Sequence, residues 1–121
     1  METRILLVED DQDIRETLQE VLLAEGYVVE IACNGQEALD CLRAATTLPN
    51  LVLLDLTMPV KDGLEFREEQ QRDPILAGVP VVIMSAASQI EEKRLHMNVH
   101  AAIKKPFDID VMLRTVALHV R

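Results

Sequence analysis

Tryptophan is missing from this 121-residue chain, and Tyr27, Phe66 and Phe107 are its only aromatic residues. Because 49% of the residues are nonetheless hydrophobic, the core has to be built from aliphatic side chains. Cysteine is scarce as well. Cys33 and Cys41 show neither a metal-ligand spacing nor a disulfide framework, and they read as reduced thiols filling small core positions. No apolar run approaches the roughly 20 residues of a membrane span, and no charged-then-apolar leader opens the chain. The expected location is therefore the cytoplasm, with no membrane contact. Basic residues number 12 against 21 acidic, a formal charge of -9, and they stand singly or in pairs. This argues against a surface that tracks a phosphate backbone, and so against direct nucleic-acid binding. A negative surface suits a protein that meets other proteins or cations. The length fits one domain, residues 1–121, and neither a repeat nor a linker interrupts it; no output domain is expected, the chain being either a stand-alone protein or one domain cut from a longer one.

What the chain does have is centred on Leu51-Val52-Leu53-Leu54-Asp55-Leu56-Thr57-Met58-Pro59. The apolar run reads as a strand buried on both faces, and it ends in a carboxylate. Asp55 thus sits at the lip of a sheet, where it needs either a capping role or a charged site around it. Met58-Pro59 turns the chain away into a loop.

The first strand, Arg4-Ile5-Leu6-Leu7-Val8, also ends in acid, at Glu9-Asp10-Asp11. Ile14, Leu18, Val21 and Leu22 follow at helical spacing, with Asp11 or Asp13 to cap the start and Gly26 to stop the helix. Tyr27–Ala32 is strand-like, and Glu30 within it suits the edge of a sheet. A helix after Asn34-Gly35 presents Ala38, Leu39 and Leu42 inward, with Glu37 placed for a capping-box-like contact. Beyond Asp55, a short helix around Leu64–Gln71 carries a mostly charged face, and Glu65, Glu68 and Glu69 read as solvated. Val81–Met84 is another apolar strand, ending in Ser85, and a weakly amphipathic helix spans Ser88–Met97. Asn98 stands where that helix would close on a left-handed residue. Ala101–Ile103 forms a short strand before Lys104-Lys105-Pro106. Asp108 then caps a last helix with Ile109, Met112, Leu113, Val116 and Val120 on one face.

Five strand-helix pairs in strict alternation call for an α/β fold, a doubly wound (βα)5 parallel sheet with helices on both faces. Ligands of such sheets bind outside the carboxyl ends of the strands. Those ends carry Glu9, Asp10, Asp55, Ser85 and Lys105. Clustered carboxylates repel one another unless a hard cation sits among them, and Mg²⁺ takes carboxylate, carbonyl and water oxygens. Glu9, Asp10 and Asp55 would supply acid, and the Thr57 backbone carbonyl one more oxygen. Lys105 adds a point charge and Ser85 a hydroxyl donor. Together they suit an anionic group with several oxygens, such as a phosphoryl group on the Asp55 carboxylate.

At these residues the chain resembles the CheY-like receiver domains of two-component response regulators. The resemblance spans the whole chain through Leu-Val-Glu-Asp-Asp at 7–11, Leu-Leu-Asp-Leu-Thr-Met-Pro at 53–59, Met-Ser-Ala at 84–86 and Lys-Lys-Pro-Phe at 104–107. It implies the flavodoxin-like strand order 2-1-3-4-5. It further implies Asp55 as phosphoacceptor, Glu9 and Asp10 as the acidic pair with Asp10 on Mg²⁺, Ser85 as switch hydroxyl, Lys105 as motif lysine, and a cis bond before Pro106. The implied donor is a phosphohistidine of a sensor histidine kinase or histidine phosphotransfer protein. The implied output is a protein-binding surface, on a monomer or a phosphorylation-dependent dimer. Such a protein is a signalling phosphoacceptor, not an enzyme acting on other molecules.

The sequence departs from the family pattern at Ala102, where members usually carry an aromatic switch residue, and at Asn98, where glycine is usual. Ala102 has no rotamer to toggle, so the response is expected to run through the backbone after Ser85. Thr57 and Ala87 fall at positions that tune phosphoryl lifetime, and Ala87 cannot orient an attacking water, which points to slow dephosphorylation. Asp11 reads as a helix cap rather than a metal ligand, and Lys104 as a solvated charge. His96, His100 and Glu92 read as surface groups rather than a zinc site. Phe107 reads as packing. Three rival readings remain. A non-phosphorylated pseudo-receiver would dock constitutively. An aspartyl-phosphate hydrolase would want an acid where Thr57 stands. A flavin carrier would want a hydroxyl- and glycine-rich loop where Glu9-Asp10-Asp11 stands.

Overall fold

The computed structural model of the protein describes residues 2–86, 90–106 and 108–120. Its elements are β1 (Arg4–Val8), α1 (Gln12–Ala24), β2 (Val28–Ala32), α2 (Gly35–Ala44), β3 (Leu51–Asp55), α3 (Gly63–Arg72), β4 (Val81–Ser85), α4 (Ile90–Met97), β5 (Ala101–Lys104) and α5 (Ile109–His119). The strands pair in the order β2-β1-β3-β4-β5, all parallel, as the alternation and the resemblance require.

All five residues of β3 and all five of β4 are buried, as continuous apolar runs in a two-sided parallel sheet should be. Alternate side chains go to opposite faces. Leu6, Val8, Val52, Leu54 and Ile83 meet Ala38, Leu39, Leu42, Phe66 and Met97 of α2, α3 and α4. Ile5, Leu7, Leu53, Val82 and Met84 meet Leu18 and Leu22 of α1 and Met112 and Val116 of α5. Each fully buried leucine contributes roughly 1.5–3 kcal/mol of transfer free energy, so these two layers dominate the stability. β2 lies at the edge, with Glu30 and Ile31 exposed.

Because each strand hands over to a helix, the helix N-termini gather at the carboxyl edge of the sheet, and their caps are side chains of the connecting loops. Asp11 Oδ1 accepts from the Ile14 N–H at 3.0 Å, Asn34 Oδ1 from Glu37 at 2.9 Å, and Asp108 Oδ1 from Asp110 at 2.7 Å. Asp62 and Glu65 form a full capping box on α3 that the sequence reading overlooked. Glu37 reaches back to the Cys33 N–H at 3.4 Å rather than to that of Asn34. Gly26 ends α1 at φ +93°, and Asn98 follows α4 at φ 54°, the left-handed residue expected there.

Two expectations need correction. Ile109 is 37% exposed and lines a surface cleft with Ile14, Thr17 and Leu18 of α1 instead of packing into the core. Glu69 is half-buried and pairs with Lys61 and Arg43, so it is no solvated charge. Arg67 and Gln70, which the sequence reading passed over, are buried at 3% and 0% exposure. Cys33 and Cys41 are both half-buried, and Cys41 packs against the core. Ser88, Ala87 and Phe107 lie outside the described residues.

Candidate functional site

The carboxyl ends of β1 and β3 bring three carboxylates together. Glu9 and Asp55 are nearly buried, at 1% and 5% exposure, and Asp10 is exposed. One oxygen from each of Glu9, Asp10 and Asp55 lies within 4.8 Å of the others. An octahedral ion with ligands at 2.0–2.1 Å needs oxygens about 3–4.2 Å apart, so small side-chain rotations suffice to bind one. The donor set, all carboxyl oxygen, is that of a hard divalent cation.

Lys105 enters from the far side. Its ammonium donates to Glu9 Oε1 at 2.8 Å and to Asp55 Oδ1 at 3.3 Å. Burial raises the Glu9 carboxyl from 4.5 to about 7; the hydrogen bond from Lys105 opposes that rise, and Asp55 adds to it. Burial alone would lower the Lys105 ammonium, but Glu9 and Asp55 outweigh it and the net shift is upward. With three carboxylates against one ammonium, the pocket is short of positive charge, which is the condition a divalent cation relieves.

Backbone ties hold this geometry. The Glu9 N–H donates to the Ala32 carbonyl at 3.1 Å, prolonging the β1–β2 ladder to the site. Arg15, which the sequence reading passed over, donates to the Glu9 carbonyl at 3.1 Å and pins the loop that presents Asp10. The β3–α3 loop folds back on β3: the Gly63 N–H donates to the Leu56 carbonyl at 3.1 Å, so close that a Cβ there would meet Leu56 Cα at 2.9 Å. The same loop is tied to α2, where the Gly35 N–H donates to the Lys61 carbonyl at 2.8 Å. Val60 at its tip takes φ 68°, strained for a β-branched residue, in a tight turn closed by the Lys61 N–H on the Pro59 carbonyl.

The remaining candidates stand around this core. Thr57 is exposed two residues past Asp55 and lines a cavity of about 630 Å³ shared with α4. Ser85 ends β4, 3% exposed, and its carbonyl accepts from the Lys105 N–H at 2.8 Å, which sets hydroxyl and lysine on neighbouring strand ends. Ala102 is half-buried opposite Ile83 and packs against the core under α4. The Lys105-Pro106 bond is cis. Lys104 is exposed and Asp11 is the α1 cap, as their readings had it.

A doubly wound sheet of this order, with acids at the ends of β1 and β3 and a lysine after β5, defines a class of CheY-like α/β signalling modules. The family model for the response regulator receiver domain matches residues 5–117, and the chain belongs to that family, the receiver domains of two-component systems. It is 35% identical to the response regulator MprA of Mycolicibacterium vanbaalenii over 93% of this chain and 48% of that protein, so the chain spans about half the length of that relative. It superposes on the chemotaxis response regulator CheY4 of Vibrio cholerae with TM-score 0.89 at 25% identity, covering 99% of this chain and 100% of that one. It has the same fold as the receiver domain of a sensor histidine kinase from Pseudomonas aeruginosa, crystallised with a magnesium ion coordinated in its active-site cleft. That match has TM-score 0.87 and 22% identity, over 98% of both chains. Receiver domains interact with histidine kinases and downstream regulators. Among the described residues, no helix is long and apolar enough to cross a membrane.

Proposed function

We propose that the protein accepts a phosphoryl group on Asp55 from a phosphohistidine of a sensor histidine kinase or phosphotransfer protein, with Mg²⁺, and thereby alters a protein-binding surface. The observation that carries this reading is the convergence on Asp55. Glu9 and Asp10 oxygens lie within 4.8 Å of its carboxylate and the Lys105 ammonium at 3.3 Å. Asp10, Asp55 and Glu9, with the Thr57 carbonyl as a further oxygen, would hold a divalent ion, which when bound would supply charge neutralisation for the incoming phosphoryl oxygens.

An Asp55 oxygen attacks phosphorus as the P–N bond to the donor imidazole breaks, and the imidazole leaves with that electron pair. Lys105 already holds Asp55 in place, and its ammonium has protons enough to follow the carboxylate and bond a phosphoryl oxygen. Ser85 offers its hydroxyl from the next strand end. Ala102 has no side-chain rotamer to report the event, so the response runs through the backbone beyond Ser85 and into α4. The protein turns over nothing but its own acyl phosphate, and its half-buried thiol Cys33, with no second cysteine bonded to it, fits the cytoplasm.

Intact mass after incubation with a small-molecule phosphodonor tests the proposal. Gain of one phosphoryl group in the wild type with Mg²⁺, and none in Asp55→Asn or without the metal, is the expected outcome. No gain under any condition would leave a constitutive docking module.

A further inference from the structure

Helix α4 is held most firmly at its C-terminal end, with Ile90 at the other end only partly buried against the core. Of its residues Ile90–Met97 only Met97 is buried, and Leu95 is 65% exposed. At its C-terminal end, however, the carbonyls are accounted for in unusual detail. The Val99 N–H donates to the Arg94 carbonyl and the Asn98 N–H to that of Leu95, both at 3.2 Å, the closure that the left-handed Asn98 permits. The next carbonyls are taken by another helix. Arg67 of α3 donates from Nε to the Met97 carbonyl at 3.1 Å and from Nη2 to the Asn98 carbonyl at 2.6 Å.

The third guanidinium nitrogen donates to Gln70 Oε1 at 2.7 Å, and Gln70 Nε2 in turn donates to the carbonyls of Leu76 at 3.1 Å and Val79 at 3.0 Å. This buried chain of bonds therefore joins α3, the α3–β4 connection and the end of α4. These partners of Arg67 are carbonyl and amide oxygens, and the negative end of the α4 dipole stands where a counter-ion would. A cavity of about 630 Å³ runs along α4, between Glu92, Lys93, His96 and Met97 on the helix and Leu56–Met58 and Leu64 opposite, so the helix has open space beside it.

We propose that Arg67 is the fixed pivot of α4: it clamps Met97 and Asn98 to α3, so that a signal from the site displaces the N-terminal half of the helix and leaves its C-terminal end in place. The trigger in this statement rests on the phosphoacceptor reading above; the clamp does not. The surface that changes for a partner is then Ile90–Lys93, and Arg67 acts as a positioning residue through the α4 carbonyls.

Amide hydrogen exchange, resolved by residue, tests this on the wild type, Arg67→Met, Arg67→Lys and the double variant Arg67→Met/Gln70→Leu. Each is compared free and with Mg²⁺ plus beryllofluoride. In the free protein, the Asn98 and Val99 amides of Arg67→Met and of the double variant should exchange at least about tenfold faster than in the wild type, with β1 and β3 unchanged. Arg67→Lys should fall between, since a single nitrogen replaces the three that reach Met97, Asn98 and Gln70. The double variant leaves no orphaned amide and keeps the comparison available if Arg67→Met folds poorly. With beryllofluoride, wild-type changes in α4 should be confined to Ile90–Lys93, and in Arg67→Met they should extend to Val99. Unchanged Asn98 and Val99 exchange in the free variants would overturn the clamp. Wild-type changes at Met97–Val99 as large as those at Ile90–Lys93 would overturn the pivot. If beryllofluoride leaves the Leu56–Met58 amides untouched, the phosphoacceptor reading fails and the pivot with it, while the free-state comparison still decides the clamp.

Discussion

α2 and α4 pack on the same face of the sheet and are held there by different means. α2 buries Gly35, Ala38, Leu39 and Leu42 along one stripe, and through the Gly35 N–H it also supports the loop that leaves Asp55. α4 buries Met97, packs the half-buried Ile90 against the core, and is otherwise held by polar bonds at its last turn. A stripe of apolar contacts resists displacement along the whole length of a helix; bonds at one end resist it only there. The site is thus built on the firm helix and faces the loose one, a division suited to a domain that must keep its chemistry rigid while its surface moves.

The comparison can be broken most forcefully at Leu39. Leu39→Ala removes a fully buried side chain and should cost about 2–5 kcal/mol, read as the shift in urea midpoint at constant m-value. Next in size is the pH response of the firm half without metal. Glu9 has its carboxyl raised from 4.5 to about 7 in the fold, so the folded state holds a proton between these values that the unfolded chain has released. Stability contributed by Glu9 is therefore full below about pH 4.5 and lost as pH rises through about 7, by up to about 3 kcal/mol. Denaturation across that range should show the decline in the wild type and a flatter curve in Glu9→Gln, and saturating Mg²⁺ should reverse its sign. A wild-type curve parallel to that of Glu9→Gln would refute it.

Gly35→Ala should come third, at about 1–3 kcal/mol, because the new Cβ would sit 2.6 Å from the Lys61 carbonyl oxygen, a backbone atom that cannot swing aside. Smallest is Leu95→Ala on α4, expected within about 0.5 kcal/mol because that side chain is 65% exposed. An effect there as large as at Leu39 would mean that α4 is gripped along its length and would erase the contrast between the two helices.

Much of this was readable in the chain. Uninterrupted apolar runs ending in acid gave both the buried strands and the placement of Glu9, Asp10 and Asp55, because a parallel sheet sends every strand end to one edge. Asp11, Asn98 and Asp108 announced their helix ends through local chemistry that acts within a few residues. Arg67 and Gln70 were passed over for the opposite reason. Gly63, Phe66, Arg67 and Gln70 fall at the i, i+3, i+4, i+7 spacing of a buried stripe, but two of the four are polar, and hydropathy assigns polar residues to solvent. The partners that make their burial tolerable are carbonyls 30 and 31 residues away for Arg67, beyond any local pattern. Val60 escaped for a related reason, since its left-handed φ goes with the ties of the next residue, Lys61, to α2 and α3 and not with its own preference.

The two margins of the sheet have a consequence for crowding. An open parallel sheet offers unpaired backbone groups along its outermost strands, a template on which further chains can add and grow into aggregates. Here one margin, β2, carries the exposed Glu30 in its middle, paired to Arg4 on the neighbouring strand. The other, β5, is four residues long and ends in the exposed Lys104. Two copies meeting along β2 would have to bring Glu30 against Glu30 on chains already charged -9 apiece, and two meeting along β5 would gain few bonds before reaching a lysine. The fold can therefore accumulate at high concentration without its sheet seeding fibres.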